Sequence, residues 1–549
     1  MSLEDQDAVV NAPLVDLSVV AGAGSGKTKT AIARVLAVLE RIPVRQKVAL
    51  LSFSNVAVNT FRRGLVAQNA DASRVTVQTF DSFFTHYVIM PYAAHVMRCA
   101  VAPFLVLGEE PFLAGFNVFY GERSHPITNL KIRRHGAEFQ AFLDNQRVPW
   151  AIAQDVIERI GAVGAYTYDI ARYWVHRTLI ALPFLVPLLV TRYPHVLVDE
   201  AQDIGSMDWA LIQLLRQSGM RVTLIGDPAQ AIFGFNGGEG QYLQEFVQAA
   251  EVGHYSLRTN FRSVPQIVAC ANQLTGRNDV AARGALQTHC GAFLVGYDPA
   301  LPRAILDRFH GVVNAIGYAT DDVAVICRAH SLVAQVRGGT SNRGSGIVKA
   351  LVKAVDHRLA NEYHLAYKEC VGVVGAFLDP PFPRFKAFVE EAHTDLGRSV
   401  RAKIWMFVCD HDAGLPHSHL NARTQWLPAL QQNLRNLLGD LGALGFTFAD
   451  IGRRVTARDL EDSPLVEPRH GVRVDTVHQV KGESIGAVLY VATEQHARGL
   501  IAGTATENGR IGYVALTRAR DIFWLAVPLA SYERLVPQAT AVGLVPMQL

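Results

Sequence analysis

The six cysteines, Cys99, Cys270, Cys290, Cys327, Cys370 and Cys409, are scattered, and no two lie within 19 residues of each other. That spacing excludes a CxxC zinc or redox motif and reads as free thiols, most of them buried, in a reducing compartment. An excess of either charge is also lacking. With 52 basic and 49 acidic residues the net charge is +3, so a nucleic-acid partner would need a local basic surface, not a basic average. Long hydrophobic runs are missing too. The longest, Leu179–Val190, is twelve residues broken by Pro183 and Pro187, too short and too broken to span a bilayer. The opening MSLEDQDAVV lacks the basic-then-apolar pattern of a signal peptide. There are no internal repeats or low-complexity runs. Together these absences lead us to expect a cytoplasmic protein with no membrane partner.

What remains is the composition of a well-packed globular chain, 50% apolar and 18% charged over 549 residues. At roughly 100–200 residues per domain, about three to five domains are expected. A chain this long buries a core without disulfide or metal staples.

The sharpest local signal is Ala21-Gly22-Ala23-Gly24-Ser25-Gly26-Lys27-Thr28, a P-loop pattern with Ala21 where the strict form has Gly. Leu17–Val20 reads as a short buried strand before it. Thr30–Glu40 carries apolar residues at 32, 35, 36 and 39, a helical spacing. Glycines let backbone N–H groups wrap a phosphate at a helix N-terminus. Lys27 would contact the β- and γ-phosphates, and Thr28 would offer its hydroxyl to Mg²⁺. A second acid should end another apolar strand. His195-Val196-Leu197-Val198-Asp199-Glu200 supplies it, followed by Ala201-Gln202-Asp203. Asp199 would hold Mg²⁺ and Glu200 would orient the attacking water.

From Asp199 to Asp203 the chain resembles the UvrD/Rep/PcrA group of superfamily 1 DNA helicases, and further motifs follow in order. Gln6 resembles the adenine-reading Q motif. Its side chain has both a donor and an acceptor for adenine's edge. With the P-loop residues Gly22, Ala23, Gly24, Ser25, Gly26, Lys27 and Thr28, and with Phe261 stacked on the base, it would complete the ATP site. Ser52–Ala57 and Gln78–Phe83 resemble two motifs that touch single-stranded DNA in the family. They put Phe53, Asn55, Thr79 and Phe80 on the strand, with a core role for Phe53 the open alternative. Leu224–Gly237 resembles motif III, where Gln230 would sense the γ-phosphate and Phe233 and Phe235 would stack on bases. Asn236 replaces the family's Arg in that stretch.

Leu257–Ser263 resembles motif IV, with Arg262 as one arginine finger. Asp322–Arg328 fits the strand motif that follows. Val474–Glu483 resembles motif V, placing Thr476 and His478 on DNA, and its acid Glu483 arrives one position early. Glu507–Arg520 resembles motif VI, with Arg518 as the second finger. Two guanidiniums on a transferring phosphoryl group stabilise charge that grows in the transition state.

The resemblance implies an α/β fold of two RecA-like P-loop NTPase domains, with parallel sheets flanked by helices and each domain carrying an inserted, mainly helical subdomain. The first core, 1A, would span 1–85 and 190–250, interrupted by insert 1B at 86–189. The second, 2A, would span 251–335 and 466–549, interrupted by a reduced 2B at 336–465. Trp426–Leu444 has helical periodicity, with Pro428 in the first turn. Lys131-Ile132-Arg133-Arg134-His135 would either steer duplex phosphates or form a solvated loop. Asp410, His411, Asp412, His417 and His419 could suggest a metal site, but the Gly, Pro and Asn around them read as a surface loop instead. Only 29 residues follow Arg520, which leaves no room for the nuclease domain of some relatives.

The expected activity is ATP-dependent 3′–5′ movement on single-stranded DNA, with unwinding at single-strand/duplex junctions in repair, replication or defence. The alternative is a helicase-like ATPase subunit that regulates a partner nuclease in an antiphage complex. Catalysis would fall to Lys27, Glu200, Gln230, Arg262 and Arg518.

Overall fold

Short runs of β-branched and aliphatic residues such as Val48–Ser52 (VALLS) and His195–Val198 (HVLV) are buried along their whole length. Continuous apolar strands of this kind belong in a parallel sheet covered on both faces. The computed structural model describes residues 4–547 apart from 69–71, 109, 122, 233–239, 285–288, 337–344, 360–361, 383–384, 391–393, 453, 459, 461, 463 and 466–471. The chain is an α/β protein with two six-stranded parallel sheets.

The first sheet has the order Gly253–Leu257, Leu17–Ala21, Arg221–Gly226, His195–Val198, Val48–Ser52, Val75–Thr79. Leu17–Val20 pairs in parallel with Thr223–Gly226 on one side and with Gly253–Ser256 on the other. The P-loop therefore leaves the carboxyl end of an interior strand, where open α/β sheets place their ligands. The second sheet has the order Arg473–Thr476, Val323–Cys327, Ile485–Val491, Ala519–Pro528, Gly291–Tyr297, Val545–Met547.

By compactness the chain divides into one unit of Met1–Gly296 with Val477–Leu549 and another of Tyr297–Thr476. In the first unit, the segment between Phe84 and His195 adds strands to its helices. Leu130–His135, Glu138–Leu143 and Gln146–Val148 form a three-stranded antiparallel sheet. The basic stretch Lys131–His135 is thus strand, not loop. Leu130 and Ile132 point into the core, and the Arg133 guanidinium lies 4.6 Å over the Phe142 ring. Helix Tyr168–Ala181 starts at Thr167, whose Oγ1 accepts from Ile170 N at 3.3 Å.

In the second unit, helices Gly346–Leu359, Tyr363–Phe377, Asp395–Cys409 and Leu427–Gly442 enclose one core that includes the fully buried Trp426. A wide turn at Ala422–Trp426 leads into Leu427–Gly442, with Pro428 in the first turn as its sequence requires. The rings of His411 and His417 stack at 3.9 Å, and no group of three His, Cys, Asp or Glu able to hold a metal occurs among the described residues. All six cysteines are free thiols. Burial pushes those of Cys270 and Cys370 up to about 12. Among the described residues no single helix is long and apolar enough to cross a membrane.

Candidate nucleotide-binding site

Residues 22–26 join Leu17–Ala21 to the helix Lys27–Leu39. Gly24 and Gly26 have φ of 71° and 81°, a left-handed backbone that glycine tolerates best. Neither has room for a side chain. A Cβ on Gly24 would lie 2.5 Å from Arg262 Cβ, and one on Gly26 would lie 2.6 Å from Gln6 Nε2. Ser25 Oγ donates to Gly22 O at 2.8 Å, and Gln6 Nε2 donates to Ser25 O at 3.1 Å. The Lys27 ammonium donates to Ala21 O at 3.2 Å and Gly22 O at 3.4 Å. Ala23 is buried and Thr28 is half-buried in the first helical turn.

Opposite the loop stands the acid pair. Asp199 follows the strand His195–Val198 and is buried, and its Oδ1 has no hydrogen-bond partner among the described residues. Burial first, then the neighbouring Glu200 charge, pushes the Asp199 carboxyl up to about 7. A buried carboxylate with an unused oxygen, within electrostatic reach of Lys27, suits a hard cation such as Mg²⁺. Glu200 sits at φ 54°, ψ 40°, a left-handed conformation that costs a non-glycine residue about 1–3 kcal/mol and clusters at functional sites. Burial would raise the Glu200 carboxyl, but Lys481 and Lys27 overcome it and hold the group below its usual range. Gln202 Nε2 also donates to Glu200 Oε2. Lys481 Nζ reaches Asp203 Oδ2 at 2.6 Å, yet burial outweighs that ion pair and holds Asp203 at about 6.

A third side is cationic. Arg518 is buried. Its Nη2 donates to Gln230 Oε1, its Nη1 to Glu483 O and its Nε to Val514 O, each at 3.2 Å. Arg262 Nη1 donates to Thr517 O at 3.0 Å. Burial first, then the Arg518 charge, pushes Arg262 down to about 9. Asn260 ties this segment to the loop: its Nδ2 donates to Ala23 O at 2.9 Å and its Oδ1 accepts from Arg262 N at 2.8 Å. Phe261 N donates to Gly24 O at 2.8 Å, which leaves the Phe261 ring 40% exposed beside the loop.

The structure therefore gathers Gln6, the P-loop, Glu200, Gln230, Arg262 and Arg518 at one place. It also adds residues that no motif reading had assigned a role: Gln202, Asp203, Asp227, Asn260, Arg277, Lys481 and Tyr513. All but Arg277 stand inside stretches that the motifs already marked. Arg277 carries no sequence signal, because its partner Asp227 is distant along the chain.

The expected strand contacts fare unevenly. Asn55 is exposed at the start of helix Asn55–Ala67. Thr79 is half-buried and caps helix Phe80–Phe84, accepting from Ser82 N at 3.1 Å. Phe53 is half-buried and stacks on Phe80, with ring centroids 5.5 Å apart and planes at 19°. Direct contact by Phe80 is corrected: its ring is 2% exposed and packs on Phe84 at 5.0 Å, so it backs Phe53 from the core. Of the two motif V residues expected on DNA, Thr476 is buried at the end of its strand and His478 is half-buried. Phe233, Phe235 and Asn236 lie outside the described residues.

Residues 2–129 and 175–251 match the UvrD/REP helicase N-terminal domain. The chain is 27% identical over 295 residues to DNA helicase II of Haemophilus influenzae, covering 49% of this chain and 39% of that protein. It is 22% identical over 343 residues to the putative ATP-dependent DNA helicase YjcD of Bacillus subtilis, covering 57% and 44%. It is 27% identical over 352 residues to the ATP-dependent DNA helicase UvrD1 of Mycobacterium tuberculosis, covering 57% and 45%. Over those residues the chain is thus similar to the UvrD/REP helicase N-terminal domain, with distant similarity to these DNA helicases. It spans less than half the length of these relatives.

Proposed function

We propose that the protein is an ATP-driven DNA helicase or translocase of the UvrD type. The observation that carries this reading is the convergence of Lys27, the Glu200 carboxylate, the half-buried Arg262 and the buried Arg518 guanidinium around one phosphate loop. The names of the relatives, each a DNA helicase, support it.

Phosphate oxygens would take the Lys27 donors from the Ala21 and Gly22 carbonyls. Thr28 and Asp199 would hold Mg²⁺, which supplies positive charge to the phosphate oxygens when bound. Glu200, kept ionised by Lys481 and Lys27, accepts the proton of the attacking water. Arg518 exchanges its neutral acceptor Gln230 Oε1 for a phosphoryl oxygen, and Arg262 adds the second positive charge where negative charge grows. Gln6 and Phe261 hold the base. Loss of the γ-phosphate removes the anion that draws the arginines toward the loop, so each turnover loosens and resets the site.

On the strand side, Phe53, Asn55 and Thr79 offer a ring and polar groups to a single strand, and Phe80 supports Phe53 from beneath. Movement from 3′ to 5′ rests on the resemblance alone. The domain limits at 85, 189, 250, 335 and 465 belong to the same proposal. No relative named above points to a partner nuclease.

The test is ATP hydrolysis with and without single-stranded DNA, beside unwinding of 3′-tailed and 5′-tailed duplexes. Strand-stimulated hydrolysis and a 3′-tail requirement are expected. Glu200→Gln should keep nucleotide binding and lose turnover, and Lys27→Ala should lose hydrolysis. Hydrolysis indifferent to DNA, or unwinding of 5′-tailed substrates only, would overturn the reading.

A further inference from the structure

Arg277 lies outside every sequence motif, just beyond the helix Pro265–Thr275. Its guanidinium is fixed at both ends. Nη1 donates to Asp227 Oδ1 at 3.2 Å and Nη2 donates to Asp279 Oδ1 at 3.2 Å. Asp279 is clamped in turn by Asn272, whose side chain accepts from Asp279 N at 3.0 Å and donates to Asp279 O at 2.8 Å. The fork is therefore anchored on the side away from Asp227.

Asp227 is fully buried. Its Oδ1 also accepts from Ala229 N at 3.1 Å, and its Oδ2 accepts from Gln230 Nε2 at 2.8 Å and from the Tyr513 hydroxyl at 3.4 Å. A side-chain amide has one donating end and one accepting end. With Nε2 on the carboxylate, the Gln230 oxygen must face the opposite way, where Arg518 donates to it at 3.2 Å. A flipped amide would set oxygen against carboxylate and N–H against guanidinium. Asp227 thus fixes the sense of Gln230, and Arg277 compensates its buried charge, without which such a carboxylate is costly to hold in place.

The same guanidinium abuts the phosphate loop. A Cβ on Gly22 would stand 2.9 Å from Arg277 Nη2 and 2.4 Å from Asp279 Oδ2. We propose that Arg277 is a positioning residue for hydrolysis: it holds Asp227, so that the Gln230 amide presents its oxygen to Arg518, and it links that orientation to the backbone of the phosphate loop. The inference rests on the hydrolysis reading above. A planar guanidinium fork can bridge two carboxylates, whereas a lysine offers a single point charge.

The test compares wild type, Arg277→Met, Arg277→Lys and Asp279→Asn in steady-state ATP hydrolysis with single-stranded DNA. Binding of a fluorescent ATP analogue and melting temperature are measured in parallel. Arg277→Met should lower kcat about 10-fold to 100-fold with KM for ATP within about threefold, since misplacing a group by about 1 Å has effects of this order. Arg277→Lys should recover part of that loss, and Asp279→Asn should fall between. A wild type that does not hydrolyse ATP overturns the hydrolysis reading and this inference with it. A wild type that turns over beside an Arg277→Met protein of unchanged kcat overturns this inference alone. Equal losses in the Met and Lys variants, matched by lower melting temperature and weaker analogue binding, reduce Arg277 to a packing role and also overturn it. Should Arg277→Met fail to fold, Arg277→Lys and Asp279→Asn decide: reduced kcat at unchanged KM supports the proposal, and unchanged kcat in both overturns it.

Discussion

Arg518 donates through Nη2 to the side-chain oxygen of Gln230 at 3.2 Å. Its acceptors there and at Glu483 O are neutral, so a phosphoryl oxygen competes favourably for either N–H. Arg262 stands close enough for the two guanidiniums to repel, and both are pushed below their usual range, burial first. An anion placed between them relieves both the burial and the repulsion.

Removal of that finger is the first prediction. Arg518→Ala should lower ATP turnover by about 10³-fold or more, the range seen when an arginine finger is lost. Analogue binding should change far less, because Lys27 and the loop N–H groups remain. Steady-state hydrolysis beside equilibrium binding reads both quantities. Unchanged turnover would remove Arg518 from the phosphoryl site.

Asp199 gives a pH prediction with two opposite signs. Its carboxyl rises from 3.8 to about 7 in the folded protein, through burial first and Glu200 second. Between those values the folded state holds a proton that the unfolded chain releases, so this group's stabilisation is complete below 3.8 and is lost as pH rises through about 7. Acidifying the nucleotide-free protein from about pH 8 to 6 should therefore raise its melting temperature relative to Asp199→Asn. The protonated acid cannot hold a cation, so Mg²⁺ affinity should fall about tenfold over the same step. A pH response of melting identical in the Asn variant would refute the assignment.

Lys481 and Asp203 form a buried ion pair, with side chains 11% and 6% exposed. Breaking such a pair leaves one charge uncompensated and costs about 3–5 kcal/mol. Lys481→Met should reach that range in denaturant unfolding and should also reduce turnover, because Lys481 helps keep Glu200 ionised. Adding Asp203→Asn should restore much of the stability and little of the turnover. If the double variant is no more stable than Lys481→Met, the pair is not what holds these segments.

The P-loop, the Asp199 strand and the Arg518 helix were legible in the sequence because each is a short contiguous pattern whose chemistry depends on the local backbone. The two sheets were expected from the family resemblance, and the apolar runs at Leu17–Val20 and His195–Val198 marked two strands of the first. Arg277 was not legible, since nothing near it names Asp227 as its partner. Phe80 was misread although the information was present: residues 80, 83 and 84 recur at helical spacing and bury one face. Lys131–His135 misled in the same way. Leu130 and Ile132 alternate with the polar positions at the two-residue period of a strand, which a count of charges alone does not show.

The stacked pair Phe53 and Phe80 separates strand binding from packing. Phe80 is core, so Phe80→Ala should cost about 3–5 kcal/mol of stability. Phe53 is half-buried, and its loss should cost less stability but about 1–3 kcal/mol of single-strand affinity, the worth of one stacked base. Phe53→Trp should keep that affinity, because any aromatic face can stack on a base. Melting temperature and fluorescence anisotropy on a labelled single strand give the two readouts. A Phe53→Ala protein that binds the strand normally but melts as early as Phe80→Ala would place both rings in the core and move the strand path elsewhere.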